Sequence, residues 1–227
     1  MANILIGGGS GFVGGFLSDA LAEQGHEVSH LSRSARPDAK YPTYEWDVFK
    51  GTIDEAAVGR ADYLINLAGA GIADARWTKK RKELIIRSRT ESTGLLAKTL
   101  KKLNHRPVLY LSASAIGYYG DSGEVGVDED SAPGSGFLSE STVAWEASVK
   151  SIEELGVPVF INRTGIVLHP KGGAMQKMVI PLNFMMSTYF GDGQQWYSWI
   201  HMDDIVGSYV YAIEQQLTGV YNGVSPH

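Results

Sequence analysis

The chain has 227 residues, 44% hydrophobic and 20% charged, with a net charge of −5 from 20 basic and 25 acidic side chains. That length suits one sizeable domain with an appendage, and the ordinary globular composition disfavours disorder, a coiled coil or a collagen-like fibre. Zero cysteines exclude disulfides, thiolate metal sites and a cysteine nucleophile, and the six histidines form no close pair of metal-ligand type.

The acidic balance disfavours a non-specific nucleic-acid binder. No apolar run approaches the roughly 20 residues of a membrane span, and no basic lead precedes the first apolar stretch. The expectation is a cytoplasmic protein whose partner is a small molecule, with no nucleic acid, membrane or metal.

Residues 3–6 form a short apolar run, as for a strand buried on both faces of a parallel sheet. Apolar positions from Phe12 to Gln24 recur at helical spacing, and Gly25 stands where a C-cap belongs. Strands are then predicted at 26–31, 44–46 and 61–67, with a helical pattern at 53–58. A long helix follows at 78–103, opened by Lys79, Lys80, Arg81 and Lys82, which read as a solvated face. A fifth strand is predicted at 108–112, a glycine- and acid-rich loop at 117–135, a helix at 138–155, a sixth strand at 159–162 and a last helix at 204–215. Between Thr164 and about Phe190 the pattern weakens in a Pro/Gly/Met-rich stretch. Alternating strands and helices imply βαβ units, hence an α/β doubly wound parallel sheet of Rossmann type. The expected division is a dinucleotide-binding domain over 1–165 and a small substrate-binding region over 166–227, interleaved with the last sheet elements.

Glycine is enriched, 27 residues in all, and clusters at one turn. Gly8, Gly11 and Gly14 make GxxGxxG, while Gly9, Gly11 and Gly14 satisfy GxGxxG. The motif follows a predicted strand and opens a predicted helix, the context in which it signifies dinucleotide binding. Removing Cβ at Gly8, Gly9, Gly11 and Gly14 lets the amides around Ser10, Phe12 and Val13 meet a pyrophosphate at the positive end of the helix dipole. The second strand ends in Leu31-Ser32-Arg33-Ser34 without a carboxylate. Arg33 offers a planar fork suited to a 2′-phosphate, and Ser32 or Ser34 adds a hydroxyl, so NADP(H) is preferred over NAD(H). Asp47 meets the adenine edge or is an exposed turn aspartate. Leu67, Ala68 and Gly69 are small enough to let the cofactor lie against the backbone.

With Asn66-Leu67-Ala68-Gly69, the serine-rich end of the fifth strand and His201-Met202-Asp203-Asp204, the chain resembles an extended, atypical short-chain dehydrogenase/reductase of the NAD-dependent epimerase/dehydratase superfamily. More narrowly it is similar to the "epimerase family protein" group, related to sugar-nucleotide epimerases. The blocks that carry the resemblance are NLAGAGIADARW (66–77), IRSRTESTGLL (86–96), SASAIGYYG (112–120), AWE (144–146), RTGIVL (163–168) and SWIHMDDI (198–205).

Two departures stand out. The superfamily uses a tyrosine and a lysine four residues later, but none of the eleven tyrosines has that lysine. Aligned on Glu146, the expected positions hold Leu138 and Thr142. Family members also continue past the position of Tyr221–Pro226 with a segment that closes the substrate pocket, so the sequence is expected to be a truncated part of a longer protein.

The resemblance implies Ser114 as the hydroxyl that bonds the reacting oxygen, with Ser112 a lesser substitute. Tyr118 and Tyr119 are further catalytic candidates, each able to supply a phenol from an unusual position or to line the pocket as packing. Glu140 is another candidate acid, a helix-surface glutamate by default. Trp77, Arg89, Arg163, Gln195, Trp199 and His201 lie in blocks that face the substrate. Arginines suit a phosphate or carboxylate and tryptophans suit stacking, a combination fitting a nucleotide sugar. Arg163 and Trp199 are equally readable as structural, and Asp203 and Asp204 as helix caps. The implied function is an NADP(H)-dependent oxidoreductase or epimerase acting on a small polar substrate. The rival is a catalytically silent NADP(H)-binding redox sensor or regulatory protein.

Overall fold

The computed structural model describes residues 1–34, 36–186 and 193–226. The sequence-predicted strand-and-helix alternation is present. β1 (Asn3–Gly7) runs into α1 (Phe12–Glu23), then β2 (Glu27–Ser32), β3 (Thr43–Asp47), β4 (Thr52–Ile53), α2 (Glu55–Gly59) and β5 (Tyr63–Asn66). The second half holds α3 (Lys79–Leu103), β6 (Leu109–Ala115), a 3-10 turn at Ile116–Tyr119, α4 (Phe137–Glu153), β7 (Val159–Thr164), β8 (Ile166–His169), α5 (Gly173–Val179), β9 (Trp199–His201), α6 (Met202–Gln215) and β10 (Gly219–Gly223).

Eight strands form one sheet in the order β10-β7-β6-β5-β1-β2-β3-β4. All its pairings are parallel except β3 with β4. Alternate side chains of β1 explain the two layers of core. Ile4 and Ile6 pack with Leu17, Leu21, Met202 and Tyr209 under α1 and α6, whereas Leu5 faces Leu96, Leu100 and Ile152 of α3 and α4. With period-2 side chains and both faces covered, the central strands carry continuous apolar runs, Ile4–Ile6 in β1 and Leu64–Ile65 in β5. Strand order reverses between β1 and β5, so the two crossovers leave opposite faces and open a crevice at the strand ends.

Local signals set the helix ends. Gly25, at φ +82°, follows α1, and the Thr78 hydroxyl accepts from the Arg81 amide at the start of α3. α6 begins two residues earlier than its apolar pattern suggests, because His201 is the cap: its Nδ1 accepts from the Asp203 amide at 3.2 Å. Asp203 and Asp204 instead stand in the first turn, where their negative charges meet the positive end of the helix dipole.

The predicted helix over 53–58 shortens to α2, since Thr52–Ile53 pairs antiparallel with β3. β8, β9, α5 and β10 escape a reading of periodicity. β10, Gly-Val-Tyr-Asn-Gly, has little strand propensity and is held by its pairing with β7. The weakly patterned stretch lies partly outside the described residues, at 187–192. No helix among the described residues is long and apolar enough to cross a membrane.

Candidate functional site

At the end of β1 the chain turns by backbone contact alone. Gly8 has φ +81°, and a Cβ there would stand 2.9 Å from the carbonyl carbon of Leu67. A Cβ on Gly14 would stand 2.3 Å from the Gly8 oxygen, so the first turn of α1 fits against β1 only as glycine. The Gly11 amide closes the turn on the Gly8 oxygen at 2.9 Å. Gly11 is the N-cap of α1 and supplies no capping side chain. The first amides of α1, by exposed Ser10 and half-buried Phe12 and Val13, therefore lack a side-chain acceptor and suit an anion.

The facing wall is the exit of β5. Asn66 is buried: its Nδ2 donates to Ser92 Oγ and Tyr110 OH, both at 3.1 Å, and its Oδ1 accepts from the Ala68 amide. Burial pushes the Tyr110 hydroxyl up to about 12, keeping it neutral. This clamp lays Leu67 and Ala68 against Gly8, while Gly69 faces the Arg89 side chain. Asn66, Ser92 and Tyr110 are positioning residues that sequence reasoning left unassigned, because apolar periodicity gives no weight to a lone polar residue inside a strand.

The end of β2 presents half-buried Ser32 and exposed Arg33 and Ser34. Arg33 has no carboxylate partner among the described residues. Asp47 is held in its own turn, where one oxygen accepts from the Phe49 and Lys50 amides, and it pairs with Lys50 at 3.2 Å. A cleft of about 970 Å³ opens on the glycine turn, with Gly9, Ser10, Gly11, Arg36 and Lys171 in its walls. A strand-end crevice and uncapped helix amides together fit the phosphates of a dinucleotide.

Beyond β6 the site is made of side chains. Ser114 Oγ donates to Glu146 Oε1 at 2.5 Å. Arg163 grips the same carboxylate with Nε and Nη2, each at 2.9 Å, and its Nη1 donates to the Tyr119 hydroxyl at 2.9 Å and the Glu129 carbonyl at 3.1 Å. Tyr119 in turn donates to Asn222 Oδ1 at 2.7 Å. The guanidinium lies over the Tyr118 ring, 3.5 Å from its centre. Arg163 is only 4% exposed. Burial opposes its charge, but Glu146 and Tyr119 outweigh that and raise its pKa further. Ser114, Tyr118, Tyr119 and Arg163 thus form one network.

The remaining substrate candidates are dispersed. Arg89 donates to the Ala70 and Ile85 carbonyls and lies over the Trp145 ring; burial, then nearby Arg81, pulls it down to about 10, so it stays charged at neutral pH. Trp77 donates to the Ile72 carbonyl and packs edge-on against Phe137. Gln195 lines a second cavity, of about 690 Å³, with Tyr119, Asp121 and Asn222. Trp199, on β9, is partly exposed, and His201 is spent on its helix cap with its ring 6.2 Å from that of His169.

A model of the NAD dependent epimerase/dehydratase family matches residues 4–223. The chain belongs to that family. Epimerase family protein YfhF of Bacillus subtilis is 37% identical over 228 residues, covering 99% of this chain and 75% of the relative. The crystal structure of the human epimerase family protein SDR39U1 with NADPH superimposes with a TM-score of 0.84 at 33% identity, over 99% of this chain and 75% of that one. A nucleoside-diphosphate sugar epimerase from Corynebacterium glutamicum gives a TM-score of 0.81 at 32% identity, over 100% of this chain and 47% of that one.

For a member of this family, the two positions aligned with the tyrosine and lysine are notable. Leu138 and Thr142 do lie beside the β6 exit: a Cβ on Gly117 would be 3.3 Å from Leu138 Cβ and 3.6 Å from Thr142 Oγ1. Leu138 carries no proton to give, and the Thr142 hydroxyl is bonded to the Leu138 carbonyl at 2.8 Å. The Ser114–Glu146–Arg163–Tyr119 network supplies proton-bearing groups at the ends of β6 and β7.

Proposed function

We propose that this chain binds NADP(H) across the ends of β1, β2 and β5 and works as an oxidoreductase or epimerase on a small polar substrate. A nucleotide-linked sugar is the class to test first. The observation that carries the cofactor reading is the uncapped glycine turn at the end of β1, next to the strand β2 that leads into Arg33, a cation with no ion-pair partner among the described residues. NADPH in the human relative supports the same choice. Bound there, the nicotinamide supplies hydride transfer.

The chain's own residues handle the proton. Ser114 Oγ receives the proton of a substrate hydroxyl as its own proton passes to Glu146 Oε1, the acceptor it already faces at 2.5 Å. Arg163 holds that carboxylate at both oxygens and keeps it oriented. Tyr119 borders the second cavity with its hydroxyl fixed between Arg163 and Asn222, which suits it to bind the substrate. Leu138 and Thr142 favour one rival, a dinucleotide sensor without turnover.

Fluorescence titration with NADPH and NADH tests the cofactor. Arg33→Ala is expected to weaken NADPH by about 10- to 100-fold, about 1.4 to 2.7 kcal/mol, and to leave NADH unchanged. No binding of either nucleotide defeats the reading. NADPH consumption over a panel of carbonyls and nucleotide sugars separates enzyme from sensor, and turnover untouched by Ser114→Ala would remove Ser114 from the chemistry.

A further inference from the structure

The cleft on the glycine turn has a wall that belongs to neither β1 nor β2. Between β8 and α5 the chain crosses back over the start of α1, and Lys171 from this crossing lines the same cleft as Gly9, Ser10 and Gly11. The crossing is tightly built. His169 packs edge-on against Phe16 with ring centres 4.6 Å apart, and its Nδ1 accepts the Lys171 amide at 3.1 Å. Gly172 and Gly173 lie flat on Phe12, the first residue of α1: a Cβ at either would come within 2.6 Å of that ring. Lys177, one turn into α5, donates to the Ala73 carbonyl at 3.0 Å and ties the far end of the crossing to the loop after β5. Lys171 is therefore fixed at its backbone while its side chain faces an open cleft.

The charges around that cleft are uneven. Lys40 is neutralised by Asp19 at 2.8 Å, and the same oxygen of Asp19 also accepts from the Tyr41 hydroxyl. The other charged residues in the walls are Arg36, Lys171 and Asp38, and among the described residues none of the three has an ion-pair partner. Arg33 is not part of this lining; it stands at the end of β2. The ribose of the adenosine half lies between the glycine turn and the end of β2 in this fold. A phosphate on its 2′-oxygen would meet Arg33 at the strand end, and the cleft wall offers two further cations without ion-pair partners among the described residues, Arg36 from the loop after β2 and Lys171 from the crossing.

We propose that Lys171 is a specificity-determining residue that grips the 2′-phosphate of NADP(H) from the β8–α5 crossing, in the cleft that Arg36 also lines. The inference rests on the NADP(H) reading above and adds a residue far from the nucleotide-binding motif in sequence. It makes the preference for the third phosphate depend on a crossing that Phe12 and Phe16 hold in place.

The test uses fragments that lack the nicotinamide, so no turnover is needed. Calorimetric titrations with adenosine 2′,5′-bisphosphate and with 5′-AMP are made on the wild type, Lys171→Ala, Lys171→Arg and Arg33→Ala. Lys171→Ala is expected to weaken the bisphosphate about 10-fold, with 5′-AMP unchanged, and Lys171→Arg to restore most of the affinity. Equal losses for both fragments would mean that the residue shapes the cleft or meets the 5′-phosphate, and would overturn the proposal. So would unchanged affinity in Lys171→Ala while Arg33→Ala loses the bisphosphate, an outcome that leaves the NADP(H) reading standing. If the wild type fails to distinguish the two fragments, the NADP(H) reading itself falls and this inference with it.

Discussion

At the end of β1 the chain discards side chains, so that Gly8, Gly11 and Gly14 set backbone against backbone. At the ends of β6 and β7 it does the reverse: Ser114, Glu146, Arg163, Tyr119 and Asn222 fill the equivalent space with a buried charged network. The first region leaves polar backbone groups facing outward, ready for an anion. The second satisfies its polar groups internally. Amides with no side-chain acceptor stay open to an anion, whereas an ion pair gripped at both oxygens is satisfied within the fold and holds one hydroxyl and one phenol in place. The two regions are thus built by different physics, local backbone approach in one and long-range side-chain pairing in the other.

The comparison breaks most readily at Glu146. Glu146→Ala leaves the Arg163 guanidinium, 4% exposed, without its carboxylate, and a loss of about 3–5 kcal/mol is expected in chemical denaturation. Glu146→Ala with Arg163→Met should recover a good part of that, since the stranded charge is then gone. A loss under 1 kcal/mol in the single variant would mean that solvent reaches the pair.

Next comes Gly14→Ala on the opposite side. Its Cβ, 2.3 Å from the Gly8 oxygen, must push the turn open. A destabilisation of about 1–3 kcal/mol is expected, together with loss of nucleotide binding by titration. Glu146→Ala should instead spare nucleotide affinity wherever the protein stays folded, and this crossed pattern is the sharpest check on the division. His201→Ala removes the α6 cap and should cost about 1 kcal/mol in thermal unfolding with little effect on binding.

The smallest expected effect is a pH dependence behind the glycine turn. His30 is buried, with Nε2 2.7 Å from Ser18 Oγ, and Ser18 Oγ donates to the Gly14 carbonyl. Burial lowers the His30 pKa, with Asp19 opposing. The folded chain therefore holds His30 neutral while the unfolded chain titrates at the ordinary value of 6.5. Stability should be flat above that pH and decline as pH falls below it, until the folded His30 itself protonates. His26 is lowered by burial in the same direction. Melting temperatures from pH 8 to 5 should show the slope, and His30→Asn should reduce it without abolishing it.

Arg163 and Asp47 mark how far sequence reasoning reaches. The motif around β1 was legible because every interaction in it is local: strand, turn and helix occur within Asn3–Glu23, and glycine spacing states the backbone geometry directly. Sequence reasoning puts Arg163 among substrate contacts with a structural role as the equal alternative, since one arginine at a strand end looks the same whether it faces a phosphate or a glutamate; the fold pairs it with Glu146. Asp47 could be read both ways for the same reason, and its own turn now occupies it.

The sequence by itself determined the doubly wound class, the glycine turn after the first strand and the absence of the tyrosine–lysine pair, because short-range periodicity, glycine placement and residue identity carry those facts. Only the tertiary structure decided what stands beside Ser114 and what closes the cleft. The Tyr119–Asn222 bond joins residues 103 positions apart, and the crossing that carries Lys171 is held by Phe12 and Phe16 from the first helix. Such contacts depend on which strand ends the sheet order makes neighbours, and local pattern carries no record of that order.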